Sequence, residues 1–539
     1  MTSRDAASQA GRTVADLVAR LAAQSGARVA FGHPGGEVVG VVRALEAAGI
    51  QFILARHETQ AAFMAGGLGE ITGRPGICVA TLGPGAANMV TGVASALLER
   101  APLIAITAAT AVAAPKGTTH QVLPLEALYA PITKRSLTIT GDTAPDKIAD
   151  TIVHATRLRP GPVHLCLPSD VAGQPAAAAT GSGRTGDIAP APDPVPRSQI
   201  TKAQQMIAQA RRPAVLVGLG ADPAAGPSLA ALAHRLGAPV AVLPKAKGVV
   251  SEDDPYFLGV LEMAGQELVV SALADADLLI AVGLDPVEMD LTWPFTAPVV
   301  HIDHLPNIDG YYPAELELTG PTAPLIDSLL AGEFPGGRWP SEVIQDHHSA
   351  VSDFIRPSRA RLQPWQVIDA VRRAMPSDTI ATCDVGAHKL LVGQAWPAFA
   401  PRTFFMANGL SSMGYAIPVA AAATIAVPGK PVVAFLGDGG LGMYLGELET
   451  LTRLGCDLLM VVFADNSLEL IRRAQERRGL PESGTSFTNP RFSELGRAFG
   501  IATAEVDSVQ GLKAAIDTLA DTGGVRLIAA HVDGSDYQL

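Results

Sequence analysis

The chain of 539 residues reads as an α/β protein made of three doubly wound parallel-sheet domains. Two observations predict this. Short apolar runs alternate throughout with longer stretches of helical period, the pattern of strands covered by helices. The strand-like runs also end repeatedly in small or polar residues, as parallel sheets do where ligands bind beyond their carboxyl ends. Two breaks divide the chain. Residues 174–196 are rich in Ala, Gly and Pro without a hydrophobic period, and residues 333–364 are polar and interrupted by Pro335, Gly336, Gly337 and Pro340. They leave domains at 11–173, 197–332 and 365–537, roughly 160, 140 and 175 residues, ordinary domain sizes. No fixed short repeat is visible.

Composition narrows the partners. Hydrophobic residues make up 48% and charged residues 17% of the chain, enough for large cores and against wholesale disorder. A formal charge of -12 opposes a nucleic-acid partner, which wants a basic face. Cys78, Cys166, Cys383 and Cys456 lack any ligand spacing and read as core thiols in a reducing compartment. The first ten residues read as a loose polar tail without a signal pattern. The longest apolar stretch, residues 415–427, is too short and Pro-broken to span a membrane. A soluble, cytoplasmic protein with no membrane partner is expected.

In the first segment a strand over 29–31 ends in Gly32-His33-Pro34-Gly35-Gly36. A second, 51–55, ends in Arg56-His57-Glu58 before a helix over 59–71; a third, 76–80, ends in Thr81-Leu82-Gly83-Pro84-Gly85. A fourth, 102–107, precedes a loop with Thr118-Thr119-His120-Gln121. The helix dipole favours a glutamate at Glu58 in any case. In an apolar pocket the same carboxylate exchanges a proton with a heterocycle nitrogen. Gln121, an amide after a histidine in a Thr-rich loop, reads by itself as a tie within that loop, and His120 is a weaker candidate for chemistry.

In the second segment glycine-rich strand ends follow 215–220 and 279–283, but neither is a dinucleotide fingerprint. In the third, a strand over 379–383 ends in Asp384-Val385-Gly386-Ala387-His388, and a turn follows at Gly409-Leu410-Ser411-Ser412-Met413-Gly414. Residues 432–466 then form a strand-helix-strand unit. Its first strand breaks at Gly437-Asp438-Gly439-Gly440 and its second ends at Asp465-Asn466. Parallel strands bring Asp438 and Asn466, 28 residues apart, to one edge, where they suit a hard divalent cation. The glycines admit a phosphate to the backbone.

This spacing resembles the magnesium-diphosphate motif of thiamine diphosphate (ThDP) enzymes. FGHPGG, RHETQAAFMA and TLGPGAANMVTGV resemble their pyrimidine-binding domain, and HQVLPLEALYAPITK is similar to a stretch of acetolactate synthases. The resemblance covers residues 11–537, with a pyrimidine-binding, a central and a diphosphate-binding domain. It implies ThDP and Mg2+ as cofactors. Glu58 is implied to contact the aminopyrimidine and promote the tautomer that deprotonates the thiazolium, with Gln121 beside the reacting carbon. It implies cofactor contacts at Pro34, Thr81, Pro84, Asn88, Val385, Gly386, Ala387 and His388. Further contacts are implied at Gly437, Gly439, Gly440, Leu470 and Ile471, the last two lining the acyl pocket. Ser411 is implied to accept from the 4′-amine through its carbonyl, and Met413 to wedge the cofactor into its bent shape. Asp438, Asn466 and the Leu468 carbonyl are the implied metal ligands.

IAVGLDPVEMD and HIDHLPNIDGYYPAELELTG resemble the middle domain of catabolic acetolactate synthases, so FAD is not expected. The expected reaction is decarboxylation of a 2-oxo acid, pyruvate in the first place, with ligation to a second carbonyl. The alternatives are simple decarboxylation and an acyl-transferring or lyase reaction. The implied assembly is a homodimer or homotetramer with sites at the dimer interface. The chain departs from its relatives near the substrate. It carries Glu37 where catabolic synthases carry Lys, and lacks the Trp that biosynthetic synthases place near Gln475. Arg472 and Arg473 are candidates for an anionic acceptor, or simply charges on a solvated helix face.

Overall fold

A computed structural model describes residues 13–177, 194–290, 292–334, 339–520 and 522–538. The expected polar tail, the start of the first domain at residue 11 and most of the first break therefore lie outside the described residues. The chain forms an α/β protein with three six-stranded sheets. The first comprises β1 (Val29–His33), β2 (Gln51–Leu54), β3 (Gly76–Ala80), β4 (Leu103–Ala109), β5 (Arg135–Thr138) and β6 (Pro162–Pro168), in the order β2-β1-β3-β4-β6-β5. The second comprises β7 (Pro213–Val217), β8 (Val240–Val242), β9 (Phe257–Val260), β10 (Leu278–Val282), β11 (Val299–Asp303) and β12 (Leu316–Thr319), in the order β12-β11-β10-β7-β8-β9. The third comprises β13 (Ile380–Cys383), β14 (Phe404–Met406), β15 (Val432–Gly437), β16 (Leu458–Ala464), β17 (Ala502–Val506) and β18 (Val525–His531), in the order β14-β13-β15-β16-β18-β17. Every pairing is parallel.

Strand β3 is buried end to end, as a strand covered on both faces must be. Buried side chains of the helices Val14–Gln24, Val39–Ala47 and Pro145–Val153 share one cluster with residues of this sheet. The helix Glu58–Thr72 packs against β1 and β3 and is buried nearly all round. Gly67 explains how it admits a neighbour so closely. A Cβ there would stand 2.8 Å from Val419 of the helix Ala416–Ala426, which packs on it.

Contacts group the chain into two compact units: residues 1–191 with 409–428 and 445–454, and residues 192–408 with 429–444 and 455–539. The turn carrying Ser411 and Met413 thus belongs with the first sheet. The second and third sheets share a continuous core in the other unit.

The structure differs from the sequence reading in two places. The supposed second break holds a helix, Ser341–Ile355, whose Ile344, His347 and Ile355 are buried; the neighbouring Pro and Gly hid its period. The helix expected after Asp438 is two short ones, Asp438–Met443 and Glu447–Arg453.

Candidate active site

In the first sheet the strand order reverses between β1 and β3, the switch point at which open sheets bind ligands. Pro34 follows β1 and Thr81 follows β3 there. The Thr81 hydroxyl donates to Glu37 Oε2 at 2.6 Å, which holds the Glu37 carboxyl below its usual range. Glu58 opens its helix at the end of β2 and is 8% exposed. Its Oε2 accepts from Asn88 Nδ2 at 3.0 Å, and its Oε1 stands 3.1 Å from where a Gly85 Cβ would lie. Gly83 has φ +64, which L side chains rarely adopt, and a Cβ there would meet the Gln121 Cβ at 2.8 Å. Gln121 itself takes φ +57. Glu58, Thr81, Pro84, Asn88 and Gln121 are therefore gathered at one edge, with Pro84, Asn88 and Gln121 exposed. His120 is exposed in the same loop.

Sequence reasoning missed what holds Glu58 in place. Glu447 is 1% exposed, and its Oε1 accepts the backbone N–H of Arg56 and of His57, each at 2.9 Å. Thr450 donates to the other oxygen at 2.7 Å. His57 then caps the Glu58 helix, its Nδ1 accepting from Thr59 N at 3.1 Å. Ser411 adopts φ +51 in the turn before Ala416–Ala426, and Met413 is half-buried there. That turn is pinned by Gln60 Nε2 donating to the Gly414 carbonyl at 3.1 Å.

The third sheet reverses between β13 and β15, and here the other predicted residues collect. The His388 ring lies close to both Gly386 and Gly437: added Cβ atoms would come within 2.8 and 3.0 Å of it. It stacks on Phe463 at 5.6 Å. Burial lowers its pKa to about 3, so the imidazole is neutral, and its buried Nε2 has no hydrogen-bond partner. An unsatisfied buried nitrogen between two glycines suits an incoming anionic group, which would favour its protonation. Val385 N donates to Asp384 Oδ1 at 2.8 Å, closing the turn that leads to Ala387 and His388.

Register places Gly437 opposite Phe463, so Asp438 and Asn466 do reach one edge. Asp438 is 3% exposed, and burial raises its carboxyl. Its Oδ1 accepts from Gly439 N at 2.8 Å and its Oδ2 from Asn466 N at 2.7 Å. Gly440 lies in the same short helix, and Asn466 takes φ +58. Among the described residues no group of three His, Cys, Asp or Glu side chains is arranged to hold a metal ion. A cation here would rely on mixed oxygens: a carboxylate, an amide and the Leu468 carbonyl, a hard set suited to Mg2+. A cleft of about 780 Å³ opens beside Asn466, lined among others by Ser467, Arg472, His531 and Ser535.

Arg472 and Arg473 share one partner carboxylate. Arg472 grips Glu469 with both Nε and Nη2 at 2.7 Å, while Arg473 Nε reaches the same carboxylate at 2.7 Å. Arg473 also donates to the Gly534 carbonyl at 2.8 Å. They neutralise the buried Glu469 carboxylate, and Arg472 also lines the cleft beside Asn466. Leu470 packs on the core, whereas Ile471 is 52% exposed.

The chain matches three family descriptions in order: the thiamine pyrophosphate enzyme N-terminal TPP binding domain over residues 12–127, the central domain over 200–329 and the C-terminal TPP binding domain over 384–530. It belongs to the thiamine pyrophosphate enzyme family. The catabolic acetolactate synthase of Raoultella terrigena is 30% identical, over 97% of this chain and 96% of its own. The acetolactate synthase isozyme 2 large subunit of Escherichia coli (strain K12) is 32% identical over 94% and 93%, respectively. A probable 2-ketoarginine decarboxylase of Pseudomonas aeruginosa is 29% identical over 96% and 93%. Among the described residues no helix is long and apolar enough to cross a membrane.

Proposed function

We propose that this enzyme decarboxylates a 2-oxo acid, pyruvate in the first place, and joins the remaining acyl carbon to a second carbonyl, as an acetolactate synthase does. The observation that carries the reading is Glu58: a buried carboxylate at a strand edge, fixed by Asn88 and gathered with Gln121. When bound, ThDP supplies the nucleophilic carbon and the electron sink that decarboxylation requires. Glu58 holds the proton at the pyrimidine nitrogen, and Asn88 keeps the carboxylate aimed. Gln121 donates to the oxyanion that develops on the substrate carbonyl. Asp438, Asn466 and the Leu468 carbonyl hold Mg2+, and His388 with the backbone of residues 385–387 and 437–440 receives the diphosphate. Ser411 and Met413 orient the pyrimidine. The half carrying Glu58 and the half carrying Asp438 come from different protomers of a homodimer or homotetramer, which light scattering in solution would test.

FAD is not part of this reading. The switch point of the second sheet, between β7 and β10, is where a dinucleotide would lie. The buried Glu288 carboxylate fills it, accepting from Leu219 N at 2.6 Å and Lys245 N at 2.9 Å. A phosphate would have to displace it. Incubation with FAD followed by desalting is expected to leave no flavin absorbance.

A second reading, decarboxylation without ligation, is favoured by Glu37. A carboxylate fixed beside Thr81 repels an anionic acceptor and would pair with a cationic substrate tail. Product analysis with Mg2+, ThDP and either pyruvate or a guanidino 2-oxo acid separates the two. Acetolactate supports the first; an aldehyde from the guanidino acid, with pyruvate inert, replaces it by the second. In the same assay Glu58→Gln is expected to abolish hydrogen–deuterium exchange at the C2 of bound ThDP. Exchange at the parent rate refutes the role of Glu58.

A further inference from the structure

Asn489 lies in a loop to which neither the fold nor the proposed chemistry gives a task. Its Nδ2 donates to Asp438 Oδ2 at 2.6 Å and to Asn466 Oδ1 at 3.0 Å. One amide group thus spans the two side chains that the proposed function assigns to the cation. The same loop engages the rest of that edge. Phe487 N donates to the Asn466 carbonyl at 3.1 Å, and Leu468 N donates to the Thr485 carbonyl at 2.8 Å. Ser467 and Ser486 form an antiparallel bridge between them. All three proposed ligand residues are therefore tied to residues 485–489.

The loop is itself anchored. Thr485 Oγ1 donates to Glu482 Oε1 at 2.9 Å, and Gln475 exchanges hydrogen bonds with the Ser483 N–H and carbonyl at 3.2 and 2.9 Å. Each accepting oxygen has two lone pairs, so Asn466 Oδ1, which takes the amide, and Asp438 Oδ1, which takes only Gly439 N, each keep one for a metal. An outer partner that fixes the orientation of a ligand strengthens the site it serves. Asp438 has a further reason to need this. Its Oδ2 takes both the Asn489 amide and the Asn466 N–H, so the lone pair left for a cation is on Oδ1, and it has a usable direction only while the carboxylate plane is held.

We propose that Asn489 is a positioning residue of the metal site, bracing Asp438 and Asn466 so that their free lone pairs converge on one small cation. The proposal rests on the reading of Asp438 and Asn466 as Mg2+ ligands. Mg2+ demands near-octahedral geometry at short distances, whereas Ca2+ accepts looser arrangements. Loss of the brace should therefore harm Mg2+ more than Ca2+.

The test is calorimetric titration of the full-length protein with ThDP at a series of Mg2+ or Ca2+ concentrations. Asn489→Ala is expected to raise the half-saturating Mg2+ about 10- to 100-fold, the usual cost of losing an outer partner, and Ca2+ less. Thr488→Ala, one position away, should change neither, and the melting temperature without cation should hold. An unchanged Mg2+ requirement in Asn489→Ala overturns the brace. So does a lowered one, which would make the amide a competitor of the cation. An equal loss for both cations overturns the geometric argument as well. Asp438→Ala separates the two levels: if it too leaves the Mg2+ requirement unchanged, the metal assignment fails. If it alone abolishes cation dependence, only the role of Asn489 fails.

Discussion

A single carboxylate illustrates how the reacting end of the first sheet is built. Glu447 is buried, yet three donors converge on it from Arg56, His57 and Thr450. Glu447→Ala would strand those donors, costing about 2–3 kcal/mol on the scale of unsatisfied buried groups. It would also free the turn that carries Glu58. Both a lower melting temperature and a lower kcat are expected, with Glu447→Gln, which keeps an acceptor, recovering part of each. Nothing in the sequence marks this residue, because the two backbone N–H groups it holds lie about 390 positions away. Glu58 and Asp438 were readable because each stands next to a strand end whose apolar run announces it. Asn489 was not, since an Asn-Pro pair in a polar loop reads as an ordinary turn.

Strand ends set the geometry one scale up. The glycine-rich turns after β1, β3 and β15 were visible as breaks in apolar runs, and the structure puts the first two and then the third at points where strand order reverses. What the turns require of their backbone was less visible. Gly83→Ala would force a side chain into φ +64 and against Gln121. A destabilisation of about 1–3 kcal/mol is expected in urea unfolding, with activity falling further than stability alone explains because Gln121 must move. The helix Ser341–Ile355 had its own signal in Ile344, His347, Val351 and Ile355, spaced three or four apart. Pro340 and the residues just before it outweighed that period. The break between Asp438–Met443 and Glu447–Arg453 is marked by Gly446, but Leu441, Leu445 and Leu448 continue a helical period across it and outweigh that signal.

At the scale of the whole molecule, the first and third sheets share one strand order while the second follows the dinucleotide-fold order, 3-2-1-4-5-6. No sequence repeat betrays that kinship, because a strand order is fixed by which runs pair, not by which residues they contain. Buried histidines set a global pH limit. His164 is enclosed between Thr107 and Ser136 hydroxyls at 2.8 Å each, and burial lowers its pKa from 6.5 to about 3. His388 is lowered to about 3 as well. Below 6.5 the unfolded chain binds protons at these sites that the folded chain does not, so stability falls as pH drops from 6.5 toward 3. Melting temperatures between pH 7.5 and 4.5 are expected to decline, and His164→Gln to flatten the slope even if it lowers the whole curve.

The way the chain alternates between its two units bears on synthesis and on engineering. Residues 409–428 and 445–454 complete the unit that begins at the N-terminus, while the stretch between them belongs to the other. On the ribosome the first sheet would therefore wait for more than half the chain before the helix Glu58–Thr72 is covered by Ala416–Ala426, and contacts so distant form slowly. A fragment ending near residue 191 would leave the Gly67 face of that helix bare, a sticky surface prone to aggregation. The protein is not divisible at its apparent seams. A circular permutant that opens the chain elsewhere and keeps residues 409–454 close in sequence to the first sheet is expected to refold faster than the parent.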